Sequence, residues 1–225
     1  FSPLICFAVK SNTNFYLIKE IKELGLGADV VSIGELMMAI KAGINPSKIV
    51  FSGVGKTSYE IDYAINKKIL LINVESKNEV FEIENIAKLK KKVVNIGIRL
   101  NPNTDAKTLS QISTGKKENK FGVNEKEFFE IIQYCKNSKN INLKCLSVHI
   151  GSQILNHKPY EKMLNVIDKI IRKSNFEFEF IDLGGGMGIS YQIKDKKLNY
   201  NKYSQAIRKF LKKHKSKIIF EPGRS

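Results

Sequence analysis

The chain has 225 residues, of which 42% are hydrophobic, enough to bury a sizeable core in one large domain or two small ones. Its three cysteines, Cys6, Cys135 and Cys145, are odd in number, far apart and set in apolar surroundings, which disfavours a disulfide framework or a zinc cluster and fits a reducing cytoplasm. The net charge of +16 raises the question of nucleic acid, but lysine supplies nearly all of it and is scattered over polar helix faces, as in KKHKSK, while arginine is confined to Arg99, Arg172, Arg208 and Arg224; scatter of this kind is solvated surface rather than a phosphate-binding stripe.

From the N-terminus, FSPLICFAVK carries neither the basic region nor the cleavage pattern of a secretory signal, and no run of about 18 apolar residues follows it. No membrane association is expected. Short β-branched apolar runs then recur in order: CFAVK, ADVVS, IVFSG, LLINV, VNIGIRL, CLSVHIG, FIDLGG and IIFEPG. Between them, stretches such as NFYLIKEIKEL, IGELMMAIKAGI, EKEFFEIIQYC and YEKMLNVIDKIIRK space apolar residues by three and four, the amphipathic-helix period. Eight strands alternating with helices predict a parallel (β/α)8 barrel over residues 1–225, with an open doubly wound sheet as the alternative. The polar stretch NPNTDAKTLSQISTGKKENKFG after the fifth strand reads as an active-site loop rather than a domain boundary. The abrupt start and the last strand running straight into Arg224 and Ser225 suggest a piece of a longer protein.

On this strand reading, Lys10, Ser52, Glu75, Arg99, His149, the Gly184–Gly186 run and Glu221 fall at strand C-terminal ends, the rim on which barrel enzymes build their sites. A partly desolvated lysine at the mouth can lose its proton and attack an aldehyde, although a single strand-end lysine more commonly just reaches solvent. Glycines directly after a strand let backbone N–H groups approach a phosphate, and DLGGGMGI matches neither the P-loop nor the dinucleotide fingerprint. Glu221 sets a carboxylate at the rim, with Gly223 and Arg224 next to it for a phosphate or a substrate carboxylate. His149 lies inside an otherwise apolar strand and faces the mouth if the alternation is read outward from Val148 and Ile150; most such histidines are satisfied core groups.

Taken together and in this order, FAVKSN, GADVVSIGE, IVFSGVGK, NVES, ISTGKKENKFG, SVHIGSQI, DLGGGMGI and EPGRS resemble the motif series of the diaminopimelate decarboxylases, within the alanine-racemase-like group of pyridoxal-phosphate enzymes. The resemblance covers essentially the whole chain. It implies pyridoxal 5'-phosphate as cofactor, Lys10 as the lysine that carries it, and His149 against its ring. It implies Ser152, Gly184, Gly185, Gly186 and Gly223 at the phosphate, Glu221 at the pyridine nitrogen and Arg224 at the phosphate and the substrate carboxylate, with Asp29 and Arg99 in support. Leu109 departs from the family, where histidine is common. The resemblance further implies a homodimer, decarboxylation of meso-2,6-diaminopimelate to L-lysine, and an N-terminal segment and a C-terminal β-domain that this chain lacks, the latter bearing a cysteine and a tyrosine of the active site. A decarboxylase of ornithine, lysine or arginine, a racemase, and a non-catalytic cofactor-binding homologue are the competing readings.

Overall fold

The structure, a computed structural model, describes residues 1–102, 121–191 and 197–224. Residues 103–120, which include Leu109 and most of the predicted active-site loop, lie outside the described residues.

Eight parallel strands close on themselves in sequence order: β1 (Leu4–Ala8), β2 (Gly27–Val30), β3 (Ile49–Phe51), β4 (Leu71–Val74), β5 (Val94–Arg99), β6 (Ile141–Ser147), β7 (Phe180–Asp182) and β8 (Lys217–Phe220). Closure is made by β1 against β8, with Leu4 opposite Ile219 and Ile5 opposite Phe220. The helices α1 (Phe15–Glu23), α2 (Ile33–Lys41), α3 (Ser58–Lys67), α4 (Lys77–Leu89), α5 (Glu125–Asn137), α6 (Lys158–Ser174) and α7 (Tyr200–Leu211) follow β1 to β7 in turn. The barrel is therefore observed and the open sheet is excluded.

Parallel strands buried on both faces need apolar residues at nearly every position, and the outer face of the barrel joins the helices in one large core that includes Phe51, Phe128 and Tyr160. The interior is a separate, smaller cluster of Cys6, Val50, Leu71, Cys145, Phe180 and Ile219. Burial pushes the Cys6 and Cys145 thiols well above their ordinary range, so both are neutral packing groups. Because strand side chains alternate, moving two residues on from this apolar layer gives the next inward layer, which is polar: Asp29, Ser52, Asn73, Ser147 and Asp182, all buried. One more step of two brings the chain to Lys10, Glu75 and His149 at the mouth.

The turns on that side are fixed by capping. Asn14, Ser32, Thr57, Ser76, Asn124 and Asn199 each accept a backbone N–H in the first turn of their helix. Glutamates in those first turns reach further, Glu60 accepting the Ile33 N–H at 3.0 Å and Glu127 the Lys77 N–H at 2.8 Å, so α3 holds the start of α2 and α5 that of α4. These stretches of the rim are thereby tied together rather than independent loops.

On the outside, Asp168 of α6 accepts from Arg172 Nε (3.1 Å), Lys213 Nζ (3.1 Å) and His214 Nε2 (2.8 Å), tying α6 to the chain after α7. Burial alone would raise its pKa, but these three donors outweigh it and bring the carboxyl down to about 2. A depressed carboxyl stabilises the fold above its unfolded pKa, and that contribution disappears as pH falls through the folded value, here between about 4 and about 2. Discounted for solvent screening, Asp168→Asn is expected to lower stability by about 1 kcal/mol at pH 7 and by almost nothing near pH 2, read from urea unfolding at the two pH values.

Candidate active site

A cavity of about 440 Å³ opens at the C-terminal mouth of the barrel, lined among others by Lys10, Ser52, Arg99, Ser147, His149, Ser152 and Glu221. Residues from several different strand ends meet in it, as expected for this fold.

Lys10 lies in a 3-10 turn, Val9–Ser11, just past β1 rather than at the end of the strand itself. Its Nζ is 2.8 Å from Asp29 Oδ2, and the side chain is half exposed. Desolvation pulls the ammonium pKa down, but the charge and hydrogen bond of Asp29 act against it and the net direction is up. The lysine of this structure is therefore a cation held by Asp29.

His149 also lies beyond its strand, because β6 ends at Ser147. Its Nδ1 accepts the Gly185 N–H at 3.3 Å, which fixes the ring plane against the glycine turn. Desolvation, then the charges of Arg99 and Lys10, lower its pKa to about 3, so the imidazole is neutral. A neutral, oriented ring can stack on a flat ligand without adding charge.

The Gly184–Gly186 turn is tight enough to exclude any side chain. A Cβ on Gly185 would lie 2.2 Å from the Glu221 carbonyl oxygen, and one on Gly184 2.6 Å from His149 Nδ1. Gly223 is packed against Ala8 and Ser11, next to Lys10. Arg224 is exposed, outside the cavity lining, with its guanidinium against Tyr191.

Four buried polar residues of this region do not stand out in the sequence reading. Asp182 is fully buried and accepts from Ser147 Oγ (3.0 Å), Asn73 Nδ2 (3.2 Å) and the Gly184 N–H (2.9 Å). Lys56 and Glu79 form a pair at 2.6 Å beneath the rim. Two of the four leave a visible trace: Asp182 interrupts the apolar run FIDL, as Asn73 does LLINV, and a polar group within a buried strand demands partners. Glu75, one of the expected rim residues, binds Arg99 Nη1 and the Gly53 and Gly122 N–H groups, each at 3.0 or 3.1 Å, and so joins three loops.

Residues 2–225 match the family model described as the pyridoxal-dependent decarboxylase, pyridoxal binding domain. The chain belongs to that family. Among curated relatives it is 42% identical over 226 residues to a diaminopimelate decarboxylase of Aquifex aeolicus and 45% identical over 225 residues to one of Helicobacter pylori strain J99. Each alignment covers 99% of this chain, and 54% and 55% of the relative, so the chain spans about half the length of the curated relatives it matches. Among solved structures it superposes with a TM-score of 0.94 and 43% identity on the Helicobacter pylori diaminopimelate decarboxylase complexed with L-lysine, covering 98% of this chain and 57% of that one.

The residues of the cavity fit the family's cofactor. Two acceptors at or next to it are buried without a protein partner, Glu221 Oε1 of the lining and Asp29 Oδ1 beside Lys10, and the glycine turn leaves backbone where a side chain would close the space. An amine, an acceptor for a ring N–H and a glycine cradle are what a pyridine aldehyde bearing a phosphate requires. No described helix is long and apolar enough to cross a membrane, and no group of three or more potential metal ligands occurs among the described residues.

Proposed function

We propose that this barrel is the cofactor-holding part of a diaminopimelate decarboxylase, which releases carbon dioxide from the D-centre of meso-2,6-diaminopimelate to leave L-lysine. Support comes from identities of 42–45% to enzymes of that name and from the solved Helicobacter pylori relative, which is complexed with L-lysine. The observation that carries the reading is that Lys10 and the unpartnered Oε1 of Glu221 belong to one cavity. A reducing cytoplasm suits the three free cysteines, and a second copy of the protein is the partner this reading calls for.

Pyridoxal phosphate, when bound, supplies a protonated ring that accepts the electron pair left at Cα as carbon dioxide departs. Lys10 would hold it, and Asp29 at 2.8 Å is the group within reach to take a proton from Nζ. Glu221 would hold the ring nitrogen and keep it protonated. His149 would pack against the ring, while Ser152, the Gly184–Gly186 turn and Gly223 would hold the phosphate. Arg224 reaches the phosphate and the substrate carboxylate once its contact with Tyr191 is released.

The test is to add pyridoxal phosphate to the purified protein, reduce with borohydride and map the modified peptide by mass spectrometry. The expected adduct is on Lys10 and disappears in Lys10→Ala, in a chain with many exposed lysines to serve as internal controls. Uniform labelling of surface lysines, or no adduct in a folded protein, would overturn the cofactor assignment. Assay of the complete protein on diaminopimelate, ornithine, lysine and arginine then separates the substrates, with carbon dioxide as the readout that excludes a racemase.

A further inference from the structure

We propose that Asp182 holds a proton on Glu221 in the cofactor-free protein, so that Glu221 meets a ring nitrogen as an acid already charged with the proton that nitrogen needs. Asp182 is then a positioning residue, fully buried and not among the residues that line the cavity. The ring-nitrogen half of this statement rests on the functional reading above; the proton's location does not.

The argument starts from an asymmetry between two carboxyl groups. Asp182 ends β7 and Glu221 directly follows β8, and Asp182 is in register with Ile219, so the two carboxyl groups converge at the top of the barrel interior. One residue links the two: Gly184 accepts the Glu221 N–H at 2.8 Å and donates its own N–H to Asp182 Oδ1 at 2.9 Å. Two carboxyl groups sharing a buried site do not both ionise; they keep one proton between them. The surrounding donors decide which group keeps it.

Asp182 has three donors, Ser147 Oγ and Asn73 Nδ2 on Oδ2 and the Gly184 N–H on Oδ1, which is the environment of an ionised carboxylate. Glu221 has no donor on its buried Oε1. An anion there would be an unsolvated charge next to another one, whereas a neutral acid needs only an acceptor, and Asp182 is that acceptor. Burial first, then the charges of Asp182 and Asp29, push the Glu221 pKa well up, opposed by Lys10. Cys6 on β1 and Cys145 on β6 are neutral thiols, and Tyr203 on α7 is a buried, neutral phenol. The Lys10 cation is itself engaged by Asp29 at 2.8 Å and does not discharge the pair.

When the ring nitrogen arrives, the O–H bond of Glu221 breaks and an N–H bond forms. The negative charge left on Glu221 is compensated by the ring cation, and Asp182 behind it raises the proton affinity of the site further. No proton has to enter from solvent at that step.

The experiment is infrared spectroscopy of the cofactor-free protein in water and in deuterated water across pH. A protonated carboxyl has a carbonyl stretch apart from that of carboxylates and shifts on deuteration. The expected spectrum shows this band at pH 7, absent in Glu221→Gln. In Asp182→Asn, loss of the neighbouring charge and gain of an amide donor should let Glu221 ionise, so the band titrates away at a pH lower by about one unit or more. A purely structural role for Asp182 would not move that titration. Absence of the band in the wild-type protein at pH 7, or its persistence in Glu221→Gln, would overturn the proposal, and neither result depends on an Asp182 variant folding. Failure of pyridoxal phosphate to label Lys10 with the band intact would instead overturn the cofactor reading alone.

Discussion

Lys56→Met is expected to cost about 3–5 kcal/mol of stability, the largest effect of any single charge removal among the described residues. The side chain is 1% exposed, and its ammonium donates to Gly53 O (2.5 Å), Asn73 O (2.8 Å) and Glu79 Oε1 (2.6 Å), one acceptor for each of its three protons. Methionine is close to the stem in volume, so packing is kept and the loss isolates the charge. What remains is Glu79, 11% exposed, as a buried carboxylate without its cation, together with two backbone carbonyls without donors. Against a typical domain stability of about 5–15 kcal/mol this approaches unfolding.

The same substitution should reach the cavity. Gly53 lines it, and the Gly53 N–H is held by Glu75, whose own backbone N–H is held by the second oxygen of Glu79 at 2.8 Å. Loosening Lys56 therefore loosens Glu75 and, through it, Arg99. Denaturant unfolding of Lys56→Met, Glu79→Leu and the double variant checks the account. The double variant should recover much of the single loss, because removing both charges leaves neither uncompensated. A single-variant cost below about 1 kcal/mol would contradict it.

Why Lys56 is hidden in the sequence while Lys10 is not is a matter of what sequence patterns encode. Period-two and period-3.6 alternation reports which face of an element is buried, and from it the eight strands, the helices and the rim positions of Lys10, Glu75, Arg99 and Glu221 are all legible. Strand ends are less so. Lys10 and His149 each lie just past the last paired residue, in a 3-10 turn and an irregular segment respectively, because rim turns are set by capping and by glycines with positive φ rather than by hydrophobic period. Burial of a loop lysine is set by acceptors from other parts of the chain, here Asn73 and Glu79, 17 and 23 residues away, and no local pattern announces them. The protonation of Lys10 is likewise beyond the sequence, since it depends on Asp29, which only the folded barrel brings to it.

Glycine positions divide in the same way, and Gly186→Ala is the sharper test of the cradle. Gly186 has φ +82°, a region in which alanine is strained by about 1 kcal/mol, and a Cβ there would lie 2.1 Å from the Gly151 carbonyl oxygen. That oxygen cannot retreat easily, because Ile154 N–H donates to Gly186 O at 2.8 Å and Gly188 N–H to Ile154 O at 3.1 Å, lacing the turn after β7 to the segment that carries Ser152. Overpacking adds about 1–3 kcal/mol, so the expected loss is about 2–4 kcal/mol, with Ser152 and the glycine turn forced apart and pyridoxal phosphate bound at least about tenfold more weakly. Gly55 is the matched control, with φ +76° and nothing within 4 Å of where an alanine Cβ would sit, so Gly55→Ala should carry only the strain of about 1 kcal/mol and leave cofactor affinity unchanged. Equal losses in the two variants would mean that backbone strain alone accounts for Gly186, and that the close approach of the two rim segments does nothing to shape the site.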